Sequence, residues 1–284
     1  MRRIVFTSRK IPNNSFYMRG EQMCHALQKL GHNAIIMNSE QTNDCHDDIV
    51  IFVRRTPGRA HLQKLRKHNI IVFDPLDSLV DLHRLSLCDV VDAVIYPSKY
   101  QCKTDNLYQG SKYWLLHHYD PRLTQHKFNK FVLGYWGYST SADHTRALIK
   151  RANRYTSTKN FPSEDFFNRI SCHYSVRRKE RGLGWRPTTK ISTAAACGAN
   201  IIVAMDKMSR ELLPRDYPYW ITNPNSLEHV KSVVNKAHKD FGNNIWQYGL
   251  ECMDKVKNKT HIKRCANVYS RILEEVNGKF NTNF

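Results

Sequence analysis

The sequence lacks several features that would assign it to familiar classes of protein. It has no apolar run near the roughly 18 to 20 residues of a membrane-spanning helix, and its N-terminus lacks the apolar core of a signal peptide. The G-x-x-x-x-G-K-[ST] motif of P-loop enzymes, the G-x-G-x-x-G motif of dinucleotide-binding folds and the H-E-x-x-H motif of zinc hydrolases are also missing. We therefore expect a protein without a membrane span that works in the cytoplasm.

The sequence also lacks the closely spaced cysteine pairs that are typical of metal sites and redox motifs. The chain has 8 cysteines but no C-x-x-C motif and no spacing typical of a zinc site. They are scattered along the chain, as Cys24, Cys45, Cys88, Cys102, Cys172, Cys197, Cys252 and Cys265. This pattern indicates reduced thiols, several of them in the core, and predicts no bound metal.

Acidic residues are scarce relative to basic ones. There are 25 Asp and Glu residues against 44 Lys and Arg residues, which gives a net charge of +19. Such an excess is informative about partners and not about fold, and it favours nucleic acid, an anionic membrane surface or phosphorylated substrates. The alternative is a chain from a generally basic proteome, with no polyanionic partner.

What the sequence does contain is a repeated alternation of short apolar runs and amphipathic segments. With 284 residues, 41% of them hydrophobic, the chain is long enough for two globular domains. We predict strands at residues 4–6, 33–37, 49–53, 70–73, 93–96 and 113–116, and a second series at 131–133, 172–176, 201–203 and 220–222. Predicted helices lie between the strands, including 15–30, which Gly31 ends, 143–153 and 161–170, and three more follow at 226–238, 243–255 and 260–276.

This alternation predicts an α/β protein with two Rossmann-like domains. We place the N-terminal domain at residues 1–125 and the C-terminal domain, with its helical tail, at residues 126–284. In open α/β sheets ligands bind beyond the carboxyl ends of the strands. Asp74, Asp77 and His117 follow predicted strands and are therefore candidate site residues. For Asp77, capping of the next helix is an equally good interpretation.

The most informative stretch covers residues 177–203 and reads RRKERGLGWRPTTKISTAAACGANIIV. It predicts a basic, glycine-bearing loop, a short helix of small residues and a buried strand. A helix N-terminus presents free backbone N–H groups and binds anions, and lysine, arginine and hydroxyl side chains would reinforce it here. One interpretation is a solvated basic loop before an ordinary αβ unit, and the other is a phosphate or diphosphate pocket.

Part of this stretch, P-x-x-K-x-x-x-A-x-A-x-G-A-x-I-I from Pro187 to Ile202, resembles the donor-binding helix of GT-B-fold glycosyltransferases. The resemblance implies two Rossmann-like domains facing across a cleft, with a nucleotide-diphosphate sugar on the C-terminal domain. Many retaining members have two glutamates where this chain has Trp185 and Thr193. Whether the sugar is transferred with inversion or retention therefore stays open.

The resemblance also implies site residues. The turn Gly134-Tyr135-Trp136-Gly137 resembles the G-x-x-G that opens the donor domain, where the backbone approaches the diphosphate, and its aromatic rings would form a slot for the base. We assign donor binding to Gly134, Tyr135, Gly137, Arg177, Arg186, Thr189, Lys190 and Ser192. Candidate general bases for an inverting reaction are Asp74, Asp77 and His117, and acceptor binding is assigned to Ser15, Arg19, Arg54 and Lys99.

The function predicted in this way is transfer of a sugar from a nucleotide-diphosphate sugar, with a UDP-sugar favoured, to a hydroxyl group. No tightly bound cofactor is expected. The high positive charge favours a phage or viral enzyme acting on a hydroxymethylated base in DNA, which would place it in the host cytoplasm. The alternatives are a lipid or polysaccharide acceptor, another nucleotide-dependent transferase, and a non-catalytic nucleic-acid-binding protein on a Rossmann-like scaffold. The oligomeric state is not predicted.

Overall fold

The computed structural model describes residues 1–9, 14–76, 86–137, 144–148, 164–177 and 188–281. They form an α/β protein with two parallel sheets, as the sequence predicts. Two compact units are present. The described residues of 1–118 and 262–281 form the first, and those of 119–177 and 188–261 form the second.

The first unit contains a six-stranded parallel sheet in the order β2-β1-β3-β4-β5-β6. Its strands are β1 (Ile4–Thr7), β2 (Ala34–Ile36), β3 (Ile49–Val53), β4 (Ile70–Asp74), β5 (Ala93–Tyr96) and β6 (Ser111–Trp114). Successive residues of a strand point to opposite faces of the sheet. Accordingly Ile49, Ile51 and Val53 pack in one apolar cluster while Val50 and Phe52 pack in another. A strand buried on both faces explains the uninterrupted apolar run in the sequence.

Helices cover the first sheet. Helix α1 begins with the α-helical turn Asn14–Phe16, continues as a π-helical segment over Tyr17–Gln22 and returns to α-helix over Met23–Gln28. Helices α2 (Arg59–Arg66) and α3 (Lys99–Thr104) follow, and a short 3-10 turn spans Gln41–Asp44. Gly31 adopts a φ of +87°, in agreement with its predicted role as the stop of the first helix.

The second unit contains a four-stranded parallel sheet in the order β10-β9-β8-β7. The strands are β7 (Leu133–Gly134), β8 (Cys172–Ser175), β9 (Asn200–Ala204) and β10 (Trp220–Ile221). The helices of this unit are α4 (Thr145–Leu148), α5 (Glu164–Phe167), α6 (Thr189–Ala196), α7 (Ser209–Leu212), α8 (Leu227–Asp240) and α9 (Asn244–Lys259). Most of the predicted helix 143–153 lies outside the described residues, and so does the helix that Asp77 was expected to cap.

The last helix, α10 (Ile262–Asn281), belongs to the first unit. Its apolar face, with Cys265, Ala266, Tyr269, Leu273 and Val276, is buried in the cluster that contains Ile4 and Phe6 of β1. The sequence prediction placed these residues in the range 126–284 with the C-terminal domain. The structure assigns them to the other unit because the apolar face of α10 covers one face of the first sheet. Among the described residues, no helix is long and apolar enough to cross a membrane.

Candidate functional site

The carboxyl edge of the second sheet brings together most of the residues that the sequence predicts to bind the donor. Strand β7 runs into the turn of residues 134–137, β8 is followed by Arg177, and β9 is followed by Asp206. Helix α6 connects β8 to β9, so its N-terminus, with Thr189 and Lys190, lies at the same edge. The turn, the two strand ends and the helix N-terminus define the candidate donor site of this unit.

Lys190 lies directly over an aromatic ring of the turn. Its Nζ atom is 3.7 Å from the centroid of the Tyr135 ring and 5.5 Å from that of Trp136. Both distances are within the range of cation–π interactions. Tyr135 itself is only 2% exposed. Its ring therefore contacts the ammonium group and is not an open stacking surface for a base, which corrects the slot predicted for it.

Gly137 ends the turn with a φ of +123°, a backbone conformation that residues with a side chain rarely adopt. A Cβ atom at this position would lie 3.0 Å from the Tyr135 hydroxyl and 3.3 Å from Lys190 Nζ. The other glycine, Gly134, is in β7, and a Cβ there would overlap the side chain of Ile170. Both glycines are thus required by close packing, and Gly137 keeps the space beside the ammonium group clear.

The N-terminus of α6 carries a hydroxyl group that does not cap the helix. Thr188 is the N-cap residue but makes no side-chain capping hydrogen bond, and it is 8% exposed. Within the described part of the chain its Oγ1 atom has no hydrogen-bond partner. Buried hydroxyl groups in proteins usually have a partner. Thr188, which the sequence prediction did not list among the donor residues, can therefore donate a hydrogen bond to an anion at this edge.

Ser192 does not face the site. It is fully buried, and its Oγ atom lies 3.5 Å from the carbonyl oxygen of Thr188, one helical turn earlier. The residues Ile191–Ala196 are all buried because α6 packs closely between its neighbours, which is why this helix is built from small side chains. The predicted contact of Ser192 with the donor is corrected for that reason, whereas Thr189 and Lys190 are half-buried at the start of the helix.

A histidine that the sequence analysis did not single out lies next to this group. His173 is in β8, opposite Gly134 in the register, and its ring stacks on Phe167 at 5.9 Å. Burial, with a contribution from the charge of Lys190, lowers the pKa of His173 to about 3. The imidazole is therefore neutral at pH 7 and adds no charge beside Lys190. The available signal was a histidine within the predicted strand 172–176.

Arg177 and Asp206 supply charges of opposite sign beyond β8 and β9. Asp206 Oδ1 accepts a hydrogen bond from the backbone N–H of Ser209 at 2.7 Å, which places the carboxylate at the start of α7. Burial raises the pKa of Asp206, and the hydrogen bonds at Ser209 and the charge of Arg177 oppose that rise. Asp206 also was not predicted, although it follows a buried strand. Arg186 lies outside the described residues.

The carboxyl edge of the first sheet holds a buried ion pair. Arg19, in the π-helical segment of α1, donates from Nε to Asp74 Oδ2 at 2.7 Å, and both side chains are fully buried. The guanidinium also donates to the carbonyl oxygens of Leu116 and Leu115, at 2.9 and 3.1 Å. Arg19 is therefore not available to bind an acceptor as predicted, because its donors are used inside the unit.

Asp74 keeps one carboxylate oxygen unused. Within the described residues its Oδ1 atom has no hydrogen-bond partner. Burial raises the pKa of Asp74, while the charge and the hydrogen bond of Arg19 oppose that rise. The other candidate aspartate, Asp77, lies outside the described residues.

His117 is buried beside the end of the same sheet. Its Nδ1 atom lies 2.8 Å from the carbonyl oxygen of His118, and the two imidazole rings stack at 5.5 Å. Burial, followed by the positive charge of Arg19, lowers the pKa of His117 to about 4. His118 contacts Gln22 Oε1 through Nε2 at 3.0 Å. His117 is neutral at pH 7, but with this pKa it is a weak base.

The remaining predicted acceptor residues lie at or near this edge. Ser15 is half-buried in the first turn of α1, and Lys99 is exposed at the start of α3. Arg54 follows β3 with a φ of +66°, and its backbone N–H donates to the carbonyl oxygen of Asp74 at 2.7 Å. Their assignment to the acceptor stays a prediction.

Among the described residues, no group of three or more His, Cys, Asp and Glu side chains could hold a metal ion. No protein-family model and no curated protein sequence matches the chain. Solved structures do match it.

A glycosyltransferase from Rickettsia africae superposes with a TM-score of 0.68 at 10% identity, over 97% of this chain and 98% of that one. HepE of Anabaena in complex with UDP-glucose gives a TM-score of 0.66 at 10% identity, over 97% and 100% of the two chains. BGT of phage T4 in complex with UDP and Mn2+ gives 0.58 at 14% identity, over 96% and 99%.

The chain spans 59% of the length of a matching chain in the GtfA/B complex, with a TM-score of 0.56 at 12% identity. These neighbours are GT-B glycosyltransferases, and several of the structures contain UDP or UDP-glucose. At such low identity the similarity establishes the fold. The chain has the GT-B fold, as its resemblance to that class in sequence implies.

Proposed function

We propose that the protein is a glycosyltransferase that moves a sugar from a UDP-sugar to a hydroxyl group of an acceptor. The observation that carries this proposal is the placement of Lys190, at the N-terminus of α6, against the turn that ends at Gly137. The GT-B fold supports it, and the UDP and UDP-glucose in the structures of HepE and BGT favour uridine as the base.

In this reaction the leaving diphosphate gains negative charge in the transition state. Fixed cations and N–H groups aimed at that charge lower the barrier. Lys190, the positive end of the α6 dipole, the Thr188 hydroxyl and Arg177 belong to one sheet edge and can supply them. The neutral His173 adds no second positive charge beneath them.

For the proton of the acceptor hydroxyl we propose Asp74, whose carboxylate is fully buried and has to become accessible when the acceptor binds. Its Oδ1 atom is the carboxylate oxygen that Arg19 leaves unused. A carboxylate held by a buried arginine is fixed in position and accepts a hydrogen bond with its other oxygen. Replacement of Asp74 by asparagine should then abolish sugar transfer, whereas the fraction of the variant that stays folded despite the unpaired Arg19 should still bind UDP.

The test of the donor site is isothermal titration calorimetry with UDP, on the wild type and on Lys190→Met. The variant removes the charge and keeps most of the side-chain length, and we expect its affinity to fall about 10- to 100-fold. Lys239→Met is the matched control, because Lys239 is exposed near the end of α8, far from the sheet edge at which α8 begins. A wild type that binds no uridine nucleotide would overturn the proposal.

For the acceptor, we infer that the net charge of +19 favours a polyanion, and we propose duplex DNA that carries a hydroxymethylated base. Binding should weaken steeply with salt because counterions are released from the phosphates. The assay follows radioactive glucose from UDP-glucose into hydroxymethylated duplex, with unmodified duplex as the control. Transfer to a lipid or polysaccharide acceptor but not to DNA would overturn this part. DNA binding without any UDP binding would favour the non-catalytic alternative.

A further inference from the structure

The candidate donor site contains an aromatic residue, Tyr135, that is too deeply buried to act only as a surface for ligand binding. Tyr135 directly follows β7, is 2% exposed and has Lys190 Nζ at 3.7 Å from its ring centroid. The ring of Trp136 adds a second, more distant contact at 5.5 Å. The ammonium group thus lies over the face of a ring that solvent hardly reaches.

This contact restrains a side chain of a flexible type. Lysine has a four-carbon stem with many rotamers, and holding it in one of them before the ligand arrives reduces the entropy lost on binding. The face of an aromatic ring is electron-rich and attracts a cation without neutralising it. The contact with the Tyr135 ring can therefore restrain the position of the ammonium group without neutralising its charge.

Gly137 fits the same interpretation. Its missing side chain leaves the Tyr135 hydroxyl and Lys190 Nζ close to the backbone, because a Cβ atom there would lie 3.0 and 3.3 Å from them. Ring, ammonium group and glycine backbone therefore form one close arrangement at the end of β7.

We propose that Tyr135 is a positioning residue, which holds the Lys190 ammonium group in place for the diphosphate of the donor and does not itself contact the base. This inference rests on the proposed function. It differs from a base-stacking role in a measurable way. A positioning residue affects every ligand that Lys190 binds, including ligands that have no base.

The experiment is a double-mutant cycle read by calorimetry with two probes, UDP and inorganic pyrophosphate. We expect Tyr135→Leu to weaken binding of both probes by about 5- to 10-fold, as expected for loss of a cation–π contact that orients a ligand group. Tyr135→Phe keeps the ring and serves as the matched control, with affinities within about 2-fold of the wild type. In a Lys190→Met background, Tyr135→Leu should have no further effect, because the two residues act as a unit.

Three results would overturn the inference. Loss of UDP affinity with unchanged pyrophosphate affinity would show that the ring binds the base. Equal losses in the wild-type and Lys190→Met backgrounds would show that Tyr135 acts independently of the ammonium group. Loss in Tyr135→Phe equal to that in Tyr135→Leu would assign the effect to the hydroxyl group. If the wild type binds neither probe, the proposed function fails, which is a separate result from any of these three.

A second variant covers the case in which Tyr135→Leu does not fold. Pentafluorophenylalanine at position 135 keeps the shape of the ring and reverses the sign of its quadrupole. We expect a loss of affinity for both probes relative to Tyr135→Phe. Unchanged affinity in this variant would overturn the cation–π role directly.

Discussion

Arg19 Nε lies 2.7 Å from Asp74 Oδ2, and neither side chain is exposed to solvent. The two residues are 55 positions apart in the chain and join the π-helical segment of α1 to the end of β4. Through Leu115 and Leu116 the same guanidinium also contacts the chain beyond β6. One buried arginine thus ties together three elements at the edge where we place the acceptor chemistry. π-Helical segments are rare and are often found at functional sites.

The first prediction concerns the stability of this pair. Arg19→Met leaves the Asp74 carboxylate buried and unpaired, so we expect a loss of about 3 to 5 kcal/mol in the free energy of unfolding, measured by urea denaturation. Replacing both residues, as Arg19→Met with Asp74→Leu, should recover much of that loss because no uncompensated charge remains buried. Additive losses in the double variant would contradict this account.

Arg59→Met is the control for the first prediction. It removes one partner of an ion pair with Asp89 in which both side chains are substantially exposed. Surface pairs contribute little because water screens them and the side chains lose entropy. We therefore expect no measurable change in the urea midpoint for this variant.

The second prediction concerns pH. Burial lowers the pKa of His117 to about 4, from an ordinary value of 6.5, and the pKa of His118 falls well below that value for the same reason. In the unfolded chain both imidazoles take up protons as the pH falls through 6.5, whereas in the folded chain they stay neutral. Stability should therefore be constant above pH 6.5 and fall between pH 6.5 and 4.

The size of this loss of stability follows from the shift in pKa. For His117 alone, the free energy of unfolding should be lower by roughly 3 kcal/mol at pH 4 than at neutral pH. Thermal melts from pH 7.5 to 4 should show a flatter pH dependence for His117→Asn than for the wild type. The groups that face His117 are Arg19 and His118, so retention of both in the variant isolates its contribution. An unchanged slope would contradict the prediction.

Much of the fold follows from the sequence because the strands are short apolar runs with breaks between them. The apolar runs 49–53 and 70–73 predict strands, and the structure confirms them as β3 and β4, which are buried on both faces. The structure also confirms the parallel α/β class, which the sequence predicts because most of its strands are followed by a helical pattern. The sequence did not predict which sheet α10 packs against. An amphipathic pattern shows that a helix has an apolar face, but it does not show which sheet that face covers.

The candidate site followed from the sequence only in part. Lys190 and Gly137 could be predicted because a lysine at a helix N-terminus and a glycine after a strand are local signals. The burial of Arg19, Tyr135 and Ser192 could not, because it depends on partners that lie far away in sequence or on neighbouring elements. His173 and Asp206 were missed because a polar residue in or just after a predicted strand is only a weak signal of a functional role.

The third prediction concerns Gly137. With a φ of +123° and Tyr135 and Lys190 within van der Waals contact of its Cβ position, Gly137→Ala is strained and displaces the ammonium group. We expect a lower thermal midpoint and an affinity for UDP reduced about 10-fold or more. The matched control is Gly278→Ala, at an exposed position of α10 where a Cβ would meet nothing within 4 Å. For this control we expect the free energy of unfolding to rise by about 0.5 to 1 kcal/mol, because alanine has a higher helix propensity than glycine, and we expect unchanged UDP binding.

The last prediction compares two buried threonines of the first unit. Thr42 Oγ1 donates to the carbonyl oxygen of Ser39 at 2.6 Å and lies 3.0 Å from His61 Nε2, whereas Thr56 Oγ1, beyond the end of β3, has no hydrogen-bond partner within the described residues. Both side chains are at most 1% exposed. Threonine to valine replaces the hydroxyl with a methyl group of similar size. The two substitutions therefore differ chiefly in whether a hydrogen bond is lost.

Thr42→Val should destabilise the protein by about 1 to 3 kcal/mol, because it leaves buried partners unsatisfied. Thr56→Val should leave the stability unchanged or raise it, since it removes a buried hydroxyl that gains nothing in the folded chain. Urea denaturation of both variants measures the difference. If Thr56→Val is as destabilising as Thr42→Val, the Thr56 hydroxyl has a partner in solution, and an ordered water at the carboxyl edge of the first sheet would be the group to locate.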